Sequence, residues 1–190
     1  MASLVLSGDT SGTVTVSAPA VAGSNTQTLA AVTGTLAPIV SGTAVSASGT
    51  SVDFTDIPSW VKRITVMLNG ISLSGSSSLR FRLGTGGTVA TSGYLGAASN
   101  SGGSPTTQTF TAGFDMYGGL TAANAAYGAA VFTLIGSNAW VGSGNIATSL
   151  AGFNVIAGTV TLGGALDIVR ITTINGTDTF DAGTINILYE

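Results

Sequence analysis

The chain contains no histidine and no cysteine, and only 7% of its 190 residues are charged. Without a histidine, neither a Ser-His-Asp nor a Cys-His mechanism can be assembled within it. Zinc sites built from Cys and His are excluded, and so is a disulfide framework. An ordinary globular chain carries about 25% charged residues. Here 5 basic and 8 acidic side chains give a net charge of −3. That is too little positive charge for a phosphate-binding surface, so nucleic acid is not expected as a partner. The opening MASLVLSGDT lacks a basic region and a continuous apolar run, and does not read as a signal peptide. The stretch from Gly119 to Gly142 is uncharged but is interrupted by Asn124, Asn138, Thr133, Ser137 and several glycines, so no membrane span is expected. Charge normally keeps protein surfaces apart. Its scarcity implies a surface buried against other copies or other proteins, or one wetted by hydroxyls and amides.

What is present is small residues, β-branched residues and turn formers, with 28 Gly and 4 Pro. Leu79 to Leu83 alternates, with Leu79, Phe81 and Leu83 opposed to Arg80 and Arg82. Val61 to Ile71 sets Ile64, Val66 and Leu68 against Arg63, Thr65 and Met67, and the end sets Ile185, Ile187 and Tyr189 against Asn186, Leu188 and Glu190. A period of two marks strands with one face inward. Further strands are expected at 108–114, 129–135, 139–145, 152–156, 159–162 and 167–174. Asn175-Gly176 predicts a type I′ hairpin, and Asn69-Gly70 gives a second, weaker turn signal. The Ala-rich 120–130 is the one rival for helix. The Gly-, Ser- and Thr-rich stretch 84–109 reads as exposed loops, with a short strand near 91–95. The predicted fold is all-β: an antiparallel β-sandwich of jelly-roll type over residues 46–190, preceded by an extended arm over residues 1–45.

The arm is too weakly apolar to form its own core. Val14 and Val16 alternate with threonine, and a lone strand or two is not stable in water. If three copies run together, Leu4, Leu6, Val14 and Val16 can meet at a shared centre. These four are the candidate arm contacts of a homotrimer. The alternative is a disordered, low-complexity leader.

The segment SGDTSGTVTVSAPAVAGSNTQTLAAVTGTL resembles leader segments in structural proteins of tailed bacteriophages. The blocks Gly49–Ser72 and Val169–Glu190 resemble the start and end of a C-terminal domain in phage tail-fibre and virion-surface proteins. The middle, about 75–164, resembles nothing. The resemblance implies a β-rich virion-surface protein, made in the bacterial host cytoplasm and commonly a homotrimer. It would be attached to other virion proteins through its N-terminus and expose its C-terminal domain to host glycan or protein. A chain of 190 residues is short for a long tail fibre. That length brings in a head fibre, a capsid decoration protein or a small tail-tip adhesin.

Some phage spikes cut polysaccharide, which usually takes two carboxyl groups. Asp53 with Asp56, and Asp178 with Asp181, are each three apart in turn-like sequence, where aspartates cap their own backbone. A calcium site at Asp178 and Asp181 is a weak alternative. Gly84-Thr-Gly-Gly87 lacks the ending of a nucleotide loop. No catalytic residue, cofactor or metal is therefore assigned, and an enzyme is not expected. Arg80 and Arg82 share a strand face, to meet an acidic partner, to form a solvated strand face or to pair with an Asp in the next strand. Tyr94, Tyr117 and Trp140 are the candidate receptor contacts, in or beside Gly-rich loops or after the turn at Gly136–Asn138; Trp60 reads as core or hinge packing.

Overall fold

The computed structural model describes residues 3–7, 11–17, 38–101, 106–149 and 152–190. The chain divides into two compact units, residues 1–36 and 37–190.

In the first unit, β1 (Ser3–Ser7) pairs antiparallel with β2 (Thr13–Ser17). The register sets Leu4 opposite Val16 and Leu6 opposite Val14. The four arm positions therefore form two cross-strand pairs of one hairpin, and Leu6 and Val16 are exposed. The rest of the arm up to residue 37 lies outside the described residues. Residues 40–45, assigned to the arm from sequence, instead edge the second unit together with Ser46. There β3 (Val40–Ser41) and β4 (Val45–Ser46) both pair with the C-terminal strand.

The second unit is an antiparallel sandwich. Its nine-stranded sheet has the order β10 (Thr106–Phe110), β9 (Leu95–Asn100), β14 (Gly152–Thr161), β13 (Ala139–Thr148), β12 (Ala126–Gly136), β6 (Arg63–Leu73) and β16 (Phe180–Tyr189), then β3, with β4 also on β16. The five-stranded sheet has the order β11 (Phe114–Asp115), β7 (Leu79–Thr85), β15 (Ile168–Thr173) and β5 (Ser51–Phe54), with β8 (Thr88–Val89) on β7. The inner faces share one core. Phe81 of the small sheet and Phe132 of the large one have ring centroids 6.0 Å apart, and Phe114 meets Phe132 at 5.0 Å.

Strand alternation in 61–71, 79–83 and 184–190 is realised, because those stretches have one apolar and one polar face. The turns differ from expectation. Asn175-Gly176 does not close a hairpin, since β15 and β16 lie in different sheets. The Asn175 side-chain oxygen accepts from the amides of Thr177 and Asp178, both at 3.1 Å, and so turns the chain from one sheet to the other. Gly70, at φ 70°, lies inside β6, where the registers with both β12 and β16 shift: a bulge rather than a turn. Tight hairpins form instead at Ser137-Asn138 (φ 48° and 59°) and Gly86-Gly87 (φ 63° and 71°). No helix forms over 120–130. Asn124 N–H bonds the Thr121 carbonyl at 2.9 Å, and Ala126 and Ala130 then point inward as strand residues. Most of 84–109 is strand rather than loop, and the strand there begins at Leu95 instead of ending at it.

Tyr94 explains how the small sheet ends. On one side of β7, Arg80 and Phe81 pair with β11, and Gly84 and Thr85 pair with β8. Leu83 falls in the gap between them. Its N–H donates to the Tyr94 hydroxyl at 2.9 Å, and that hydroxyl lies 3.2 Å from the Leu83 carbonyl. A side chain thus completes a ladder where backbone is missing. Burial is the main reason the Tyr94 phenol is pushed up to about 12, with the Leu83 N–H bond working against it. An unfolded tyrosine titrates near about 10. The unfolded chain then releases its proton first, so stability falls as pH rises from about 10 to about 12. Tyr94→Phe is expected to cost about 1–2 kcal/mol at neutral pH, because the Leu83 N–H loses its acceptor. It should also flatten that alkaline slope. Denaturant titrations across this pH range check both.

Candidate functional site

The acidic residues come first, because hydrolysis would need them. Asp53 accepts from Arg170 through both oxygens, at 2.7 and 2.6 Å. Asp115 holds Arg80 the same way, at 2.6 and 2.7 Å. Asp56 stands in the left-handed region at φ 58° and accepts from the Thr55 hydroxyl. Asp167 accepts from the Gly87 amide. Asp178 accepts from the Ser77 amide at 2.8 Å, and Asp181 from the Ser72 hydroxyl. The members of each predicted pair thus serve separate partners. Among the described residues no group of three or more potential metal ligands gathers.

The small sheet's outer face collects most of the pairing. Across it, Asp53, Arg170 and Arg82 stand in register on β5, β15 and β7, while Thr172, Arg80 and Asp115 form the next row. The Asp115 hydrogen bond is the main reason the Arg80 guanidinium titrates above its ordinary value. Asp53 raises Arg170 in the same way. Arg82 is lowered, by burial first and then by neighbouring Arg80. Its Nε donates to the Ala112 carbonyl at 2.9 Å. Arg80 therefore meets an aspartate of the next strand, one of its three expected roles.

Two of the three aromatic candidates, Tyr94 and Trp140, are corrected. Tyr94 is 0% exposed and Trp140 2% exposed, so neither presents a ring to a receptor. Trp140 is the first inward residue of β13, which starts directly after the Ser137-Asn138 turn, and not a loop tip. Tyr117 is half-buried; its carbonyl accepts from the Asn100 amide at 3.2 Å, and that amide also reaches Asn154. Trp60, expected in core or hinge packing, is 40% exposed and so outside the core, and leans on Tyr189 with ring centroids 5.9 Å apart.

The surface that stands out is the outer face of the nine-stranded sheet, which the sequence reading did not single out. One register row crosses it from Thr107 through Val155, Asn145 and Met67 to Asn186. The next carries Ala97, Ala157, Ser143 and Val131 to Leu188. A third holds Leu95, Thr159, Val141 and Thr133, ending at Arg63. In a fourth, Phe153 and Tyr127 flank Ala147. Leu95 and Ile135 are 67% and 68% exposed, and Phe153, Val155, Tyr127 and Val141 are also open to solvent. The only charged side chain in these rows is Arg63, ion-paired to Glu190.

The signal for this face was present but inverted. In Gly152–Thr161 the inward residues include Gly158 and Asn154, while Phe153 and Val155 point out. Hydropathy alone assigns the large residues to the core.

Searches against protein-family models, curated proteins and solved structures return no match for this chain. No helix among the described residues is long and apolar enough to cross a membrane.

Proposed function

We propose that the chain is a structural component of a phage particle's surface, a short fibre or spike that meets the host by multivalent binding. The observation that carries this reading is how the two resembling blocks sit in the fold. The block Gly49–Ser72 contains β5 and most of β6, and Val169–Glu190 contains most of β15 and all of β16. β5 pairs with β15 in one sheet, and β6 pairs with β16 in the other. The two blocks, distant in sequence, thus form one frame through both layers of the sandwich. The unmatched middle is hung between them as β7 to β14. A frame that resembles other virion-surface proteins, carrying an insert that resembles none, suits a subunit whose exposed strands differ in what they touch. The β1–β2 hairpin adds to this, because a two-stranded hairpin with exposed Leu6 and Val16 needs a partner to persist in water. In this reading identical hairpins associate as a homotrimer and attach to other virion proteins. Several weak host contacts then add as avidity.

A capsid decoration or head-fibre role is the second reading, favoured by the broad, charge-poor face of the large sheet. Antibody-gold labelling of intact parent particles separates the two in electron micrographs. Gold on the tail or its fibres supports attachment to the host. Gold over the head transfers the function to decoration, and absence of gold from all particles removes both.

A further inference from the structure

We infer that the outer face of the nine-stranded sheet packs against a second copy of this chain. The inference goes beyond the homotrimer reading above: a face that meets a copy of itself makes a two-fold contact, which joins two chains, or two arm-linked trimers, and cannot itself close a trimer. The face is wide enough. Strands lie about 4.8 Å apart and same-face residues about 6.8 Å apart along a strand. The rows from β10 to β16 therefore cover about 30 Å by about 27 Å, or about 800 Å² per copy. A standard stable interface buries about 800 Å² on each partner.

Charge decides the occupant. The small sheet's outer face carries Arg80, Arg82, Arg170, Asp53 and Asp115, whereas the rows of the large sheet carry only Arg63, already paired with Glu190. A charged partner would find nothing there to read. A copy of the same face meets it without like-charge repulsion, which a self-complementary contact requires. The relief also fits. Large exposed Leu95, Phe153 and Val155 alternate with small Ala97, Ala157 and Ala147, so two sheets can interdigitate at the usual spacing of about 10 Å. The face is mixed rather than wholly apolar, with Thr107, Asn145, Ser143, Thr159 and Thr133 standing among exposed Leu95, Val155, Val141 and Phe153, and large apolar residues gathered on one exposed face mark an interaction site.

The test is the mass of the full chain in solution by sedimentation equilibrium. The wild type is expected as an oligomer of the 18.6 kDa chain. Val155→Lys and Val141→Glu, on different strands and both exposed, should each lower the mass by at least one subunit per particle while leaving the far-ultraviolet circular dichroism unchanged. Using two strands keeps a local folding defect from deciding the result. Leu6→Asp separates this inference from the arm-based one. If only Leu6→Asp dissociates the particle, the sheet-face contact is overturned and the arm reading stands. If the sheet variants dissociate it and Leu6→Asp does not, the face is the interface and the arm reading falls. A monomeric wild type, including one that binds neutral glycans through this face, overturns the inference.

Discussion

Gly142→Val is expected to lower the stability of the sandwich by about 3 kcal/mol, read as a fall in the denaturant midpoint with the slope unchanged. Valine ordinarily favours a strand, so propensity predicts the opposite sign. Packing decides. The register aligns Phe110, Gly96, Gly158, Gly142 and Phe132 across five neighbouring strands, all facing inward. Glycines at three of those places leave room for rings from both sheets. A Cβ at Gly142 would lie 2.7 Å from the Phe132 ring and 2.8 Å from that of Phe114. Neither ring is free to move away, because Phe132 also meets Phe81 while Phe114 also meets Tyr94 and Phe110. Gly158 stands under Phe110, whose ring would meet a Cβ there at 2.9 Å. The contrast is Gly163, where a Cβ meets nothing within 4 Å and φ is ordinary. Gly163→Ala should be neutral or stabilise by a few tenths of a kcal/mol, through the unfolded chain. If Gly142→Val is equally neutral, the aromatic core is looser than these distances require.

The same glycine row shows where the sequence was legible and where it was not. Leu79–Leu83 announced itself because large apolar residues alternate with arginines. β9 did not, because its inner face is built from Gly96 and Ala98 and the bulk that fills the space comes from Phe110; β14 was read as two strands, 152–156 and 159–162, because Gly158 breaks its inner run between Ile156 and Val160. Tyr94 followed the glycines of a supposed loop and looked exposed. It is buried where Leu83, whose carbonyl is taken by the Ala90 amide, has an N–H that lacks a backbone partner, a fact that exists only once β7, β8 and β11 are aligned. Asn175-Gly176 carried a strong local turn signal, yet hairpin pairing needs both flanking strands in one sheet, and sheet membership is not local. Leu4, Leu6, Val14 and Val16 were read as contacts between copies, and the register adds that they face one another in pairs across β1 and β2, which strand spacing alone did not indicate. The broad outer face was the least legible, since it appears only when many strands are laid side by side.

Asp115→Ala is expected to cost about 3 kcal/mol, and Asp53→Ala less than about 1 kcal/mol, although both aspartates hold an arginine through the same two-pronged geometry. Burial makes the difference. The Arg80 and Asp115 side chains are 12% and 16% exposed, against 34% and 30% for Arg170 and Asp53. Water can solvate Arg170 once its partner is gone, but it reaches Arg80 poorly. The lost aspartate would also remove a charge that favours the Arg82 guanidinium, which burial first and then Arg80 already lower. The consequence extends into the core. The two arginines grip one short segment: Arg82 bonds the Ala112 carbonyl, Arg80 bonds Asp115, and the Arg80 stem lies so close over Gly113 that a Cβ there would meet it at 2.5 Å. Phe114, between these anchors, is the ring that joins Tyr94, Phe110 and Phe132. Releasing Asp115 should therefore loosen Phe114 as well, so the loss should include a change in near-ultraviolet circular dichroism that Asp53→Ala does not produce. The double variant Arg80→Met with Asp115→Leu should recover most of the stability, because it removes the stranded charge while keeping apolar bulk over β11. A double variant no better than Asp115→Ala would mean that the segment is held by the hydrogen bonds themselves rather than by the avoidance of an unpaired buried cation.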